Sequence, residues 1–538
     1  MNIETNIDTK IETKKIHIFD TTLRDGEQAP GGTLNLEDKI RIALQLEKLG
    51  VDVMEPGFPV SSPGEFEAVR QISRLVQSVE ICGFARAIKG DIDAAVQATQ
   101  DAAKRRLHLF ISSSDIHLDF QLRKSREQVI EMARSMVSYG RQFVDRLEFS
   151  LMDASRSGEE FVMQLVEAVI AEGATIINMP DTMGYALPHE YGQLFARVRQ
   201  QARGADKVEF STHCHNDLGL AVANSLAAVQ NGATQVEVTI NGVGERAGNC
   251  SLEELAMVID TRKASLNMET GIRPEEIYAS SRMVSRAMHM PISFNKPVVG
   301  RNAFQHESGI HQDGLLKNRN TYEIMDPEQM GIPRKMIILG KHSGRHAIRH
   351  RVEQLGFKVD DAQMEELYVR FKEKADGQKI VTDDELIRLV GTTVNVATET
   401  YSLVDVQVVT SSERSRVASA TVKNGATGAN ATYSAIGRGP IEALIGCIKQ
   451  GIGFPVEFVD LELHSISTGE AAGGEAEVTV EAFGRSYVGN AMDEDILIAV
   501  AHAYMAACNQ AAREAKAEGR WAEGGASAIE KADRRMWT

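Results

Sequence analysis

HIFDTTLRDGEQAPGGTLNLEDKIRIALQLEKLGVDVME, residues 17–55, is one unit of the pattern that decides the fold. It opens on a short β-like run, HIFD (17–20), and crosses a polar loop. An amphipathic helical stretch follows, and a second β-like run, VDVME (51–55), closes the unit. In the helical part Ile40, Ala43, Leu44 and Leu46 are expected to share a face, and Gly50 stands where a C-cap is expected. The unit recurs. VEICGFA (79–85), LHLFIS (107–112), RLEFS (146–150), TIINM (175–179), VEFSTHCH (208–215) and VEVTI (236–240) bring the β-like runs to eight. Eight β–α units over about 250 residues predict an α/β fold of the (β/α)8 TIM-barrel type. An open doubly wound sheet is the alternative that this count leaves standing.

Beyond the barrel the pattern changes twice. Residues 286–398 hold fewer strand-like runs and two helical stretches, DAQMEELYVRFKEKADG and TDDELIRLV, and read as a mostly helical connecting region. From residue 399 three strand-like runs precede a helix, PIEALIGCIKQG, and three more precede a second helix, DEDILIAVAHAYMAACNQAAREA. This is strand-strand-strand-helix twice, a repeat of roughly fifty-five residues. The expected division is an N-terminal extension (1–15), the barrel (16–285), the connecting region (286–398), a C-terminal α/β domain (399–515) and a flexible tail (516–538).

Composition narrows the function. The 538 residues carry 59 Lys+Arg against 75 Asp+Glu, a net charge of −16. With no basic run interleaved with aromatics, a nucleic-acid binder is not expected. No apolar stretch reaches the roughly 18 residues of a membrane span. The polar N-terminus has no signal-peptide core. Cysteines 82, 214, 250, 447 and 508 form no CxxC pair and predict reduced thiols in a cytoplasmic protein. Cys214 and Cys250 are expected to be packing residues.

A TIM barrel carries its chemistry at the C-terminal ends of its strands. The first strand runs into Arg24-Asp25-Gly26, the seventh into His213-Cys214-His215-Asn216-Asp217, and the eighth into a loop holding Glu245, Arg246 and Asn249. His213 and His215 are two apart, so on a strand they point to one face. Two imidazoles, a carboxylate from Asp25 or Asp20 and the amide oxygen of Asn249 would hold a divalent cation, with Zn, Mn, Co and Mg all suited to mixed N/O donors. Ordinary strand-end histidines are the alternative. Arg24 beside such a metal suits an α-keto acid, whose oxyanion charge a guanidinium stabilises. A salt bridge in the barrel mouth is the other reading of Arg24. Ser251-x-x-Glu254 reads as a capping box with a structural Glu254.

DTTLRDGEQ (20–28), EPGFPVSSPGEFE (55–67), MPDTMGYALP (179–188), STHCHNDLGLAVANSLAA (211–228), NGVGERAGNCSLEE (241–254), HESGIHQDGLLKN (306–318) and LGKHSGRHA (339–347) resemble the 2-isopropylmalate synthase family, over about residues 16–510. The resemblance implies an acyltransferase. Acetyl-CoA loses a methyl proton, its carbanion attacks the keto carbon of 2-oxoisovalerate, and the thioester is hydrolysed, at the start of leucine biosynthesis. It implies a divalent metal, Mn2+ or Mg2+ with Zn2+ or Co2+ as alternatives, on Asp25, His213, His215 and Asn249. Arg24 would polarise the keto group, and His108, Ser150, Asn178 and Thr182 would line the keto-acid site. His311 and Tyr322 would complete the site from a partner subunit and do acid/base work, which implies a homodimer or a higher homo-oligomer. The C-terminal repeats would form a regulatory domain for a leucine-type effector, with Gly437 and Gly439 in its site.

The sequence also departs from the family. Met152 stands where patterns such as FSxEDAxRS place a glutamate near the keto acid. Pro56 and Phe84 differ from the small and Leu residues expected near there, and Gly489-Asn490-Ala491-Met492-Asp493 replaces a run richer in Gly and Thr. A paralogous synthase using pyruvate, a longer aliphatic or an aryl keto acid is therefore the first rival. A non-catalytic effector-binding protein is the second, and Arg24, Asp25, His213, His215, Asn249 and His311 speak against it.

Overall fold

The computed structural model describes residues 13–332, 339–355, 357–377, 381, 383–394, 400–413, 415–465 and 474–521. Two compact units emerge. The first spans residues 1–304 and 324–334, and the second spans 305–323 and 335–538.

The first unit is a closed barrel of eight parallel strands: β1 His17–Asp20, β2 Val53–Met54, β3 Glu80–Arg86, β4 Arg105–Ser112, β5 Leu147–Met152, β6 Ile176–Asn178, β7 Glu209–His213 and β8 Gln235–Val238. Pairing of β1 with β8, His17 opposite Gln235, closes it, so the doubly wound alternative falls. Several strands are shorter than their runs, because only the paired centre of each run enters the ladder. A two-residue strand, Lys14–Lys15, pairs with Met268–Glu269.

The helices follow from local sequence. Asn35 caps helix α1, Leu36–Leu49, by accepting from the Asp38 amide at 2.9 Å, and Gly50 ends it. Its buried face is Lys39, Ile42, Ala43, Leu46 and Leu49. Leu44 is 44% exposed, which corrects the expected face. The stripe follows the i, i+3, i+4, i+7 spacing from Lys39 and Ile42. Lys39 can join it because Glu27 and Glu65 each approach its ammonium to 2.5 Å. Ser62 caps helix α2, Pro63–Leu75. Burying each large aliphatic side chain of the barrel core, such as Ile42, Leu46, Ile72 or Leu165, contributes about 1.5–3 kcal/mol.

The expected capping box at Ser251 is absent. Ser251 precedes the helix Leu252–Thr261 but makes no side-chain cap bond. Its hydroxyl instead accepts from Lys296 at 3.2 Å, and Glu254 binds the same ammonium at 2.7 Å.

In the second unit, helices Arg345–Gln354, Asp361–Gly377 and Asp383–Val394 gather around Ile348, Leu367, Phe371 and Leu386. Two three-stranded antiparallel sheets follow. Tyr401–Val409, Arg416–Asn424 and Asn430–Gly437 precede helix Pro440–Gln450, and Glu457–Ser465, Gly474–Ala482 and Arg485–Asp493 precede helix Ile496–Ala517. The middle strands alternate, apart from a buried Glu477 in the second. Ala418, Ala420 and Val422 are buried in the first, and Ala476, Val478, Val480 and Ala482 in the second. Gly489 belongs to this packing, since a Cβ there would meet the Ala503 carbonyl oxygen at 2.0 Å. Most of the expected flexible tail lies outside the described residues. Among the described residues no helix is long and apolar enough to cross a membrane.

Candidate active site

The site is built where β1, β7 and β8 end. Asp25, His213 and His215 are all buried, with ligand atoms within 4.8 Å of one another. Asp25 Oδ2 lies 3.4 Å from His213 Nε2 and 3.7 Å from His215 Nε2. The strand stops at His213, and His215 is held just beyond it by a bridge to Asn249. Asn249 donates its amide to the Val243 carbonyl at 3.1 Å. Its Oδ1 and the Oδ2 of Asp25 are buried without a hydrogen-bond partner. Buried acceptors facing two imidazoles and no donor are what a cation would satisfy, so these residues fit a divalent metal. The turn that delivers Asn249 needs Gly248, at φ +86°, where a Cβ would meet the Gly242 oxygen at 1.9 Å.

Asp25 and His215 are held in the forms that ligate a metal, whereas His213 holds its proton more firmly, so a cation there would have to displace it. Burial opposes ionisation of Asp25, but Arg24, His213 and His215 outweigh it and hold the carboxyl at about 2. Burial and the neighbouring His213 push His215 down to about 3, so it is a neutral donor. For His213 burial disfavours the charged form, but Glu237 more than offsets this and its pKa is raised.

Arg24 is a fixed fork. Its Nε binds Glu55, its Nη1 lies 3.0 Å from Asp25, and its guanidinium lies 4.3 Å from the Phe84 ring centre. His108 places Nδ1 2.9 Å from Glu55 and Nε2 2.6 Å from the Ser150 hydroxyl. Asn178 donates to Ser150 at 2.8 Å and to Glu237 at 2.5 Å. Arg24, His108, Ser150 and Asn178 are thus one connected group. Thr182 lies apart from this chain, and its hydroxyl accepts from the Asp153 amide at 2.9 Å. Asp153 itself, at φ +68°, pairs with Arg156 at 2.7 Å.

His311 and Tyr322 lie in the second unit, with ring centres 4.3 Å apart and His306 6.0 Å from each. Gly437 is pressed against the following helix, where a Cβ would meet the Ala443 nitrogen at 2.5 Å. Gly439 is that helix's N-cap residue. All five cysteines are free and buried, and burial pushes Cys214 up to about 12, as expected of packing thiols.

Two residues here, Glu55 and Glu237, escaped the sequence reading, and two more, Asp217 and Arg246, were placed at strand ends without a role. Arg246, at φ +57°, grips Asp217 at 2.8 and 3.0 Å and donates to the Thr182 carbonyl at 2.7 Å, tying three strand-end loops together. Glu237 sits in VEVTI, where alternation suggests a solvent-facing residue. In a closed barrel the second face is the lumen.

Over 92% of its length the chain is 48% identical to the 2-isopropylmalate synthase of Gloeobacter violaceus, of which 95% is covered. The corresponding enzyme of Syntrophus aciditrophicus is 47% identical, with 92% of this chain and 96% of the relative covered, and that of Pyrococcus furiosus 46%, with 93% and 100%. The chain belongs to the 2-isopropylmalate synthase family. Its parts match accordingly: an HMGL-like model over residues 15–284, a homocitrate synthase post-HMGL domain-like model over 298–379, and a LeuA allosteric (dimerisation) domain model over 380–512. The HMGL-like match covers the whole barrel, including every member of the Asp25, His213, His215 and Asn249 set.

Proposed function

We propose that this protein condenses acetyl-CoA with 2-oxoisovalerate to give 2-isopropylmalate and free CoA, the first step of leucine biosynthesis. The observation that carries the proposal is the buried Asp25–His213–His215 cluster with Arg24 against it, in a chain that spans nearly the full length of synthases of that name. A base removes a methyl proton from acetyl-CoA. The methyl carbon bonds to C2 of the keto acid, and the keto oxygen gains a proton. Water then cleaves the thioester to a carboxylate and a thiol.

We assign the residues as follows. Asp25, His213, His215 and Asn249 would hold a divalent cation, Mn2+ or Mg2+ by family resemblance, with Zn2+ or Co2+ equally suited to the mixed N/O donor set. Bound there, the cation supplies Lewis-acid polarisation of the keto acid and fixed positive charge. Arg24 stabilises charge developing on the keto oxygen; its rigidity under Phe84 and Glu55 means little reorganisation during reaction. His108, Ser150 and Asn178 orient the keto acid, and Thr182 frames the neighbouring loop. His311 and Tyr322, supplied by a partner subunit, move protons. The exposed apolar side chains Val404, Val409, Val417, Ile436 and Leu463 on the C-terminal sheets support a homo-oligomer formed through that domain, which also takes the leucine-type effector near Gly437 and Gly439. We assign it to the cytoplasm, a reading that its five free, buried cysteines support.

One observation favours a second reading, in which the chemistry is kept and the keto acid is larger. Met152, at the end of β5, puts a thioether where the family pattern has a glutamate and so favours an apolar group, and Phe84, stacked on Phe110 at 4.8 Å and edge-on to Phe58 at 5.2 Å, gives Arg24 an aromatic neighbour. Mass spectrometry of the product formed with Mn2+, acetyl-CoA and 2-oxoisovalerate tests the proposal. 2-Isopropylmalate supports it, and product only from a bulkier acid selects the second reading.

A further inference from the structure

The side chains around the barrel axis form a closed circuit. His213 donates from Nδ1 to Glu237 Oε2 at 2.8 Å, and Asn178 donates to Glu237 Oε1 at 2.5 Å and to Ser150 at 2.8 Å. Ser150 meets His108 Nε2 at 2.6 Å, and His108 meets Glu55 at 2.9 Å. Glu55 holds Arg24, Arg24 holds Asp25 at 3.0 Å, and Asp25 returns to His213 at 3.4 Å. One half of the circuit is the metal-ligand set, and the other half is the keto-acid group. Two carboxylates bridge the halves. Glu55 does so through Arg24, and Glu237 does so directly, with one oxygen on each half.

We infer that Glu237 is a positioning residue that sets the metal site and the keto-acid site together. Glu237 is 2% exposed, so it acts only through its neighbours. By accepting from His213 Nδ1–H it fixes the tautomer that leaves the Nε2 lone pair free for a metal. By accepting from Asn178 it fixes the amide whose other hydrogen holds the Ser150 hydroxyl, and through that the His108 ring. Each carboxylate oxygen faces a donor. An amide at this position has a single acceptor oxygen and so leaves one of the two donors opposed by an NH2 group. The inference rests on the metal-site assignment given above.

The test uses the full-length enzyme. Mn2+ binding is measured alone by calorimetry, and KM is measured for each substrate. Glu237→Gln is expected to weaken Mn2+ about 10- to 100-fold and to raise the keto-acid KM, with the acetyl-CoA KM nearly unchanged. Glu237→Asp keeps two acceptors and should recover part of both. Asn178→Ala should raise the keto-acid KM but leave Mn2+ affinity unchanged. The double variant should raise that KM no further than Glu237→Gln alone. Wild-type Mn2+ affinity in Glu237→Gln overturns the inference, as does loss of Mn2+ binding in Asn178→Ala equal to that in Glu237→Gln. If Glu237→Gln does not fold, Glu237→Asp and Asn178→Ala decide: wild-type values in both overturn it. His213→Ala is the control. If His213→Ala binds Mn2+ normally, the metal-site assignment fails instead.

Discussion

His213 presents Nδ1 to Glu237 at 2.8 Å and Nε2 toward Asp25 at 3.4 Å, so one imidazole joins the barrel lumen to the strand-end loops. Its two nitrogens do different work. The inner one is tied to a buried carboxylate, and the outer one faces a carboxylate oxygen that has no donor of its own. The same division runs through the site. Fixed polar groups in the lumen hold the groups at the mouth, where substrate arrives.

Arg24→Lys should reduce kcat by about 10²–10³ while Mn2+ still binds. A guanidinium engages Glu55 and Asp25 from separate nitrogens and lies against Phe84, and an ammonium cannot reproduce that fork. Steady-state kinetics alongside calorimetric Mn2+ titration checks this. Unchanged kcat would mean that Arg24 is only a mouth salt bridge.

Asp20 predicts a pH dependence of stability. Burial, offset in part by hydrogen bonds from Thr22, raises its pKa from 3.8 to about 7. Between those values the folded chain holds a proton that the unfolded chain releases. The contribution is complete below 3.8 and is lost as pH rises through 7, at about 1.4 kcal/mol per unit within the window. Asp20→Asn keeps the neutral form. Its Tm relative to wild type should therefore rise between pH 5 and pH 8, and a constant difference in melting curves at those two pH values would refute the burial argument.

Lys296 is expected to matter more than Ser251. Its ammonium lies 3.3 Å from the buried Glu253 and 2.7 Å from Glu254. Lys296→Met leaves Glu253 without its counter-ion and should cost about 3–5 kcal/mol. Ser251→Ala removes no cap and should cost less than the usual ~1 kcal/mol. Chemical denaturation of the two variants orders them, and a larger loss for Ser251→Ala would restore the capping box.

Subunit sharing is tested by mixing two inactive variants. His311→Ala and His213→Ala, unfolded and refolded together, should regain activity that neither has alone, because one mixed dimer site would carry both intact groups. No recovery, with mixed dimers shown by mass spectrometry, would place His311 in its own chain's site.

Much of this was legible in the sequence. Alternating runs and helical stretches predicted the eight strands, because each buried strand and each amphipathic helix leaves its own period. The convergence of Asp25, His213 and His215, with Asn249 bridged to His215, was legible because an HxH pair and an aspartate stood at strand ends that a closed barrel brings to one mouth. Glu237 and Glu55 were not, since a lone glutamate in a strand looks the same whether its face meets solvent or a barrel lumen. Ser251 misled because the capping-box spacing was present, whereas the choice of partner was made by Lys296, forty-five residues away. Leu44 misled because an apolar side chain can lie at the edge of a stripe and remain exposed.

The most direct test is free-thiol release from acetyl-CoA by the purified protein. It would be measured with and without Mn2+, against 2-oxoisovalerate, pyruvate, 2-oxobutyrate, 2-oxoglutarate and phenylpyruvate. The account predicts release that requires both metal and keto acid, with 2-oxoisovalerate giving the highest kcat/KM. Release that is indifferent to metal, or that ranks another acid first, would contradict it.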